Sequence, residues 1–184
     1  MDSKAQSGAP FELLVAVIIM AFVLIIGAQV INSTNQKVCE NNVQKEVLEF
    51  KGFLEDTVNR KSANKFVFYP DDPCFEVSKS VTKVEKLFDE KSCLANCGQP
   101  LSSCWVITFD SKEERTQSIY FRACVDLPAY TTFLGPTSDC YEEGYNVVDA
   151  MEKIPFGQYS LKYNSVGGDT SGVPKICVMH KYTG

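Results

Sequence analysis

The sequence has little of what most catalytic sites are built from. It holds one histidine, His180, and one tryptophan, Trp105, in 184 residues. A Walker loop, a dinucleotide-binding glycine pattern, an HExxH zinc motif and a nucleophile elbow are all missing. No Cys-x-x-Cys-His segment occurs, which argues against a multihaem protein. We therefore predict that the chain is not an enzyme and uses no cofactor or resident metal.

Concentrated basic charge is also missing. The net charge is −5, with lysine and arginine scattered along the chain, whereas a nucleic-acid-binding protein needs a basic face. No nucleic-acid partner is expected. Asp71 and Asp72, together with Asp110 or Asp139, could offer oxygen ligands to calcium, but acids in such positions are more typical of turns.

Cysteine, by contrast, is abundant. An export signal followed by an even number of cysteines is typical of a disulfide framework in an oxidising compartment. Zinc is the alternative, because three of the cysteines lie close together, but no CxxC pair is present and the chain has only one histidine. We predict disulfides, although the sequence leaves about a hundred possible pairings open. The eight cysteines are Cys39, Cys74, Cys93, Cys97, Cys104, Cys124, Cys140 and Cys177.

A long apolar run near the N-terminus decides the class of protein. No polar side chain occurs from Leu13 to Ala28, and at ~1.5 Å per residue the helix from Ala9 to Ala28 spans roughly 30 Å, the thickness of a bilayer core. A cleaved secretory signal peptide and a plain membrane anchor both have such a run. Neither explains Glu12, because an acid inside a membrane costs up to ~2.5–3.5 kcal/mol and is usually paired. The alternative is that Glu12 lies at the level of the lipid headgroups and has no partner role.

The residues before and at the start of this run resemble a known signal. They read Lys4-Ala5-Gln6-Ser7-Gly8, then Ala9-Pro10-Phe11-Glu12-Leu13-Leu14. This pattern is similar to the class III signal peptide of archaeal type IV pilin-like proteins and archaellins. In that family a dedicated membrane peptidase cuts before the apolar helix, which stays on the mature protein. A cut after Ala5 makes Gln6 the first residue, and a cut after Ser7 makes Glu12 the fifth.

The resemblance implies a function and a set of partners. The mature chain is expected to form a homo-oligomeric filament through its N-terminal helix, after a stage as a single-pass membrane protein. Phe11, Glu12 and Leu13 would take part in assembly, with Glu12 facing the terminal amine of a neighbouring subunit. The alternative is a membrane-anchored surface protein that does not polymerise and whose head binds a ligand or partner. Both place the chain at the cell surface.

Helical spacing continues beyond the apolar run. One stripe steps by three or four residues, which predicts a single helix that is apolar to about Ile31 and amphipathic to about Arg60. The alternative is a separate core helix after a short linker at Asn32–Asn35. Val77–Phe88 also fits helical spacing and is predicted as a short helix. The stripe consists of Val43, Val47, Phe50, Leu54 and Val58.

From Asn64 onward the apolar pattern alternates, which is typical of strands. Six tyrosines in this region could form a contact surface for a partner or glycan, but half-buried strand residues are the more usual interpretation. These are Tyr120, Tyr130, Tyr141, Tyr145, Tyr159 and Tyr163. The predicted strands are Lys65–Tyr69, Cys104–Asp110, Ser118–Val125, Gly157–Tyr163 and Lys175–Lys181.

The predicted fold is therefore α+β, with a long N-terminal helix packed on one mostly antiparallel sheet of four or five strands and stabilised by disulfides. The expected organisation is a leader at 1–8, a transmembrane or filament-core helix at 9–31, its amphipathic continuation at 32–62, and an extracellular β-rich head at 63–184.

Overall fold

The computed structural model describes residues 9–69, 79–111, 118–136, 140–164 and 173–182. These residues form two helices and eight strands, in two compact units that meet in sequence between Cys39 and Glu40. In chain order the elements are α1 (Ala9–Arg60), β1 (Ala63–Phe68), β2 (Ser80–Leu87), α2 (Glu90–Cys97), β3 (Cys104–Ser111), β4 (Ile119–Val125), β5 (Thr132–Leu134), β6 (Tyr145–Val147), β7 (Gly157–Tyr163) and β8 (Lys175–Lys181).

Helix α1 is one continuous helix of 52 residues, which confirms the predicted long helix and excludes a linker at Asn32–Asn35. The polar stretch stays helical because Ser33 and Thr34 donate their hydroxyl hydrogens to the carbonyl of Val30, at 3.0 and 2.8 Å. Such bonds satisfy short polar side chains within a helix. The helix ends at Arg60, where Lys61 takes a left-handed φ of 49°.

The second unit is built around the amphipathic part of α1. Every residue of the predicted stripe from Val43 to Val58 is buried. Phe50 stacks on Phe66 of β1 with ring centroids 5.1 Å apart, and Phe66 in turn stacks on Tyr159 of β7 at 5.4 Å. Removing a buried phenylalanine typically costs ~3–5 kcal/mol. The ring stack therefore ties this part of the helix firmly to the sheet.

The largest sheet has five strands in the order β1-β7-β8-β5, with β6 also paired to β8. All pairs are antiparallel except β5 with β8. The short strands β5 and β6 pair with opposite ends of β8, through Lys175–Cys177 and Met179–Lys181. The prediction of a mostly antiparallel sheet is confirmed, and the predicted strands Gly157–Tyr163 and Lys175–Lys181 match β7 and β8 to the residue.

A second sheet, β2-β3-β4, is a three-stranded antiparallel meander. The prediction of a single sheet was therefore wrong. The predicted helix at Val77–Phe88 was also wrong, because its described part is mainly strand β2. Ser80, Thr82 and Val84 are buried alternately, while Val81 is 38% exposed. Pairing with β3 therefore sets a period of two that overrides the helical spacing of the valines.

Helix α2 was not predicted, although its ends carry clear sequence signals. Asp89 caps the first turn, since its carboxylate accepts a hydrogen bond from the Ser92 amide at 2.7 Å. Gly98 ends the helix with a φ of 67°, a conformation that glycine adopts without strain. An Asp cap nine residues before such a glycine is a short-helix pattern.

Two disulfides tie α2 to one face of the second sheet. Cys93 and Cys97, four residues apart on one side of the helix, bond to Cys104 of β3 and Cys124 of β4. Cys124 pairs across the strands with Val106, which lies two residues from Cys104. The two strand cysteines therefore share a sheet face, as side chains two residues apart do. We call this the outward face of the β2-β3-β4 sheet.

The remaining cysteines agree with the predicted framework as far as they are described. Cys140 bonds to Cys177 of β8 and holds the segment before β6 against the five-stranded sheet. Cys39 is buried and disulfide-bonded. Cys74 lies outside the described residues.

We predict that removing the second of the α2 disulfides loosens the helix. In the double variant Cys97→Ser with Cys124→Ser, the free energy of unfolding should fall by about 2–4 kcal/mol, because the unfolded chain gains loop freedom. Urea unfolding followed by fluorescence of Trp105, which is 2% exposed, measures this loss. Hydrogen exchange of the last turn of α2 should also become faster.

The matched control removes a disulfide elsewhere in the head. Cys140→Ser with Cys177→Ser should speed exchange near β6 and β8 and leave α2 protected. If the last turn of α2 stays as protected in the first double variant as in the wild type, the disulfide does not hold the helix in place.

Candidate functional site

The predicted assembly residues lie in the first turn of α1. Phe11 and Leu13 are each 69% exposed, and Glu12 is exposed between them. An acid in this position interacts favourably with the positive end of the helix dipole. The leader residues Lys4, Ala5, Gln6, Ser7 and Gly8 lie outside the described residues.

The apolar part of α1 is exposed along its whole described length. From Phe11 to Asn35 every residue is exposed except Gly27, which is half-buried. This surface far exceeds the few hundred Å² of contiguous apolar surface that soluble monomers usually show. The chain thus has a helix that is long and apolar enough to cross a membrane, and an N-terminal signal sequence has the same character.

The outward face of the β2-β3-β4 sheet carries the second candidate site. Beside α2 it opens into a concavity of about 410 Å³. Lys83, Thr108 and Arg122 stand side by side on the three strands, and Asp110 stands between Val81 and Tyr120. The concavity is lined by Lys79, Val81, Lys83, Glu85, Thr108, Asp110, Tyr120, Arg122 and Glu152.

Glu85 connects the polar groups of this concavity. Its carboxylate accepts a hydrogen bond from the Thr108 hydroxyl at 2.7 Å. The same carboxylate forms ion pairs with Lys83 at 2.9 Å and Arg122 at 3.2 Å. Partial burial by itself raises the pKa of Glu85, but these donors and charges outweigh burial and lower it. The network therefore holds a charged carboxylate in the concavity.

The tyrosines separate into two groups, so neither sequence interpretation holds for all of them. Tyr159 is fully buried, and Tyr145 and Tyr163 are half-buried, as strand residues usually are. Tyr120, Tyr130 and Tyr141 are 53%, 59% and 80% exposed. Among them, Tyr120 lines the concavity.

His180 packs within the five-stranded sheet. Its Nε2 lies 3.1 Å from the carbonyl oxygen of Phe156, and its ring lies 5.1 Å from that of Tyr159. Gly157 faces it with a φ of 149°, and a Cβ there would lie 2.2 Å from His180 Nε2. The close approach and the positive φ at the first residue of β7 both favour glycine.

No group of three side chains suited to metal binding occurs among the residues that the structure describes. Of the acids considered for calcium, Asp110 lies on β3 in the outward face, while Asp71, Asp72 and Asp139 lie outside the described ranges. In comparisons with protein-family models, curated proteins and solved structures, nothing matches this chain.

Glu142 has a different role from the acids of the concavity. Its carboxylate accepts from Lys65 Nζ at 2.6 Å, from the Ser160 hydroxyl at 2.6 Å and from Lys162 Nζ at 3.0 Å. Burial raises the pKa of Glu142, but the three donors outweigh burial and hold it at about 2. Because these donors lie on β1 and β7, the carboxylate fastens the segment before β6 to the sheet.

We predict that Glu142→Gln lowers the free energy of unfolding at pH 7 by about 1.5–3 kcal/mol, the usual range for hydrogen bonds to a charged group. The folded-state pKa lies below the ordinary value of 4.5, so the stabilisation is fully present above 4.5 and is lost as the pH falls towards 2. The difference between variant and wild type should therefore shrink over that range in urea unfolding.

The control is Glu143→Gln, which changes the exposed neighbouring acid and should leave stability within about 0.5 kcal/mol of the wild type. A Glu142→Gln defect that stays constant between pH 5 and pH 2 would show that the altered hydrogen-bond geometry of the new amide, and not the lost charge, causes it.

Proposed function

We propose that this chain is a structural subunit of an extracellular filament of the type IV pilus kind, assembled through its apolar N-terminal helix. The observation that carries the proposal is the exposed apolar surface of residues 11–31. Something outside the chain has to cover this surface, because full burial of one large aliphatic side chain is worth roughly 1.5–3 kcal/mol.

Two environments can cover such a helix. Lipid surrounds it while the chain is a single-pass membrane protein, and neighbouring helices surround it in a filament core. Both are apolar, so transfer from one to the other changes little in hydrophobic free energy, and packing and polar contacts decide whether helices associate. Assembly therefore needs a feature that lipid cannot satisfy.

Glu12 supplies that feature. It is the only ionisable residue from Ala9 to Val30, and its carboxylate is poorly solvated in an apolar environment. An amine at the N-terminus of a neighbouring processed subunit would form a hydrogen-bonded ion pair with it, as the pilin resemblance implies. A buried pair of this kind is tolerated where either charge alone is costly, and its geometry fixes the register between helices.

The disulfide-bonded head is compatible with a location at the cell surface. It has its own buried core, from Phe50 of α1 to Ile107 and Val178 of the two sheets, so no partner is needed to complete it. Disulfides persist in oxidising, extracellular surroundings. A head of this kind can stay folded in the same way before and after assembly.

Mechanical shear distinguishes the filament from the alternative, a monomeric membrane-anchored surface protein. Shearing intact cells without detergent should release the chain in sedimentable filaments, and N-terminal sequencing of the released subunits should start at Gln6 or Gly8. Recovery of the chain only in the membrane fraction, starting at Met1, would favour the plain anchor. A start beyond Ala28 would contradict both functions.

The role of Glu12 has its own test. Glu12→Ala should still insert into the membrane, because the apolar run is intact, but the yield of sheared filament should fall at least about tenfold, since loss of a buried charge partner typically costs several kcal/mol. Glu40→Ala removes an exposed acid from the same helix and serves as the matched control. Normal filament yield from Glu12→Ala would rule out the pairing mechanism.

A further inference from the structure

The concavity on the outward face of the β2-β3-β4 sheet has the size and lining of a small-ligand site. Its volume of about 410 Å³ falls within the roughly 300–1,000 Å³ common for such sites. We infer that it binds a neutral saccharide unit. This inference does not depend on filament assembly, because none of its residues belongs to the apolar part of α1.

Charge favours a neutral ligand. The lining contains three basic side chains, Lys79, Lys83 and Arg122, and three acidic ones, Glu85, Asp110 and Glu152. Their formal charges cancel, and Glu85 bonds directly to two of the cations. A ligand of one charge sign would gain little from such a mixture, whereas sugar hydroxyls both donate and accept hydrogen bonds and can use donors and acceptors that alternate over a short distance.

Tyr120 supplies the apolar contact that sugar recognition also needs. Its ring is 53% exposed, and it stands next to Asp110 in the register of β3 and β4. The Arg122 guanidinium lies 5.2 Å from the ring centroid and limits the ring's motion. An exposed aromatic ring beside polar groups suits the carbon–hydrogen face of a pyranose, because one end of the tyrosine is apolar and the other is polar.

The polar groups are held in place before any ligand arrives. Thr108, at the floor of the concavity, is 4% exposed, and its hydroxyl is bonded to Glu85 at 2.7 Å. Lys83 and Arg122 are oriented by the same carboxylate. Preorganised side chains lose less conformational freedom on binding. The arrangement therefore favours binding of a small, weakly interacting ligand.

The experiment uses the full chain in lipid nanodiscs, because sugar-headed detergents would compete for the site. Saturation-transfer NMR is run with glucose, galactose, mannose and N-acetylglucosamine, and with the charged sugars glucuronate and glucosamine. At least one neutral sugar should bind with a dissociation constant in the millimolar range or below, and more tightly than both charged ones.

Variants locate the binding. Tyr120→Ala should weaken it roughly 2- to 10-fold, as expected for one aromatic contact, while Tyr120→Phe keeps the ring and most of the affinity. Arg122→Ala should weaken it roughly 10- to 100-fold through loss of charge-assisted hydrogen bonds. The matched controls Tyr130→Ala and Arg60→Ala, an exposed tyrosine and an ion-paired arginine outside the concavity, should leave affinity unchanged.

Three results would overturn the inference. In the first, no neutral sugar binds at tens of millimolar. In the second, a charged sugar binds more tightly than every neutral one. In the third, the concavity variants and their controls lose affinity equally. Fluorescence of Trp105, which lies on the opposite face of β3, checks that each variant is folded, so that a misfolded protein is not mistaken for a lost site.

Discussion

The exposed apolar surface of residues 11–31 is the constraint on which the proposed function depends. A helix with such a surface is not stable as a free element in water, and in the proposed function lipid or other helices cover it. Glu12 then becomes the polar exception within an apolar environment. A membrane tolerates it near the interface, but only a partner with a positive charge makes it favourable at depth. In the proposed filament, the same residue would be neutral for insertion and decisive for assembly.

The head is stabilised by its own buried core together with disulfides and ion pairs. Its five-stranded sheet is covered by the amphipathic part of α1 through the stacked rings of Phe50, Phe66 and Tyr159. Its three-stranded sheet has an inner face with a large apolar content and an outward face that α2 covers in part. Disulfides and the Glu142 network fasten segments that have few buried apolar side chains of their own; in α2 only Cys93 is buried. Disulfides and ion pairs thus stabilise the segments that bury the least apolar surface.

The apolar periodicity of the sequence predicted those elements whose conformation depends on neighbouring residues alone. The stripe from Val43 to Val58 and the alternation in β7 and β8 each express one buried face, so the period in the sequence is the period in the structure. The residues of β2 carry both periods, and only pairing with β3 decides between them. The division into two sheets depends on strand order, and the disulfide pairing depends on which strands become neighbours. None of these long-range relations has a local signature, whereas α2 did have one in Asp89 and Gly98.

The same contrast between local and long-range relations explains why one candidate site could be predicted from the sequence and the other could not. Glu12 stands out because its neighbours in sequence are its neighbours in space along the helix. The polar concavity is assembled from β2, β3 and β4 by register, and Glu85 meets Thr108 and Arg122 only after 23 and 37 residues of chain. In sequence these side chains look like the ordinary solvent-facing half of alternating strands. What marks them is that one carboxylate collects three donors beside an exposed ring. Glu142 also collects three donors and only fastens a segment to its sheet, so the exposed ring and the open concavity beside Glu85, and not the carboxylate alone, support the inferred ligand site.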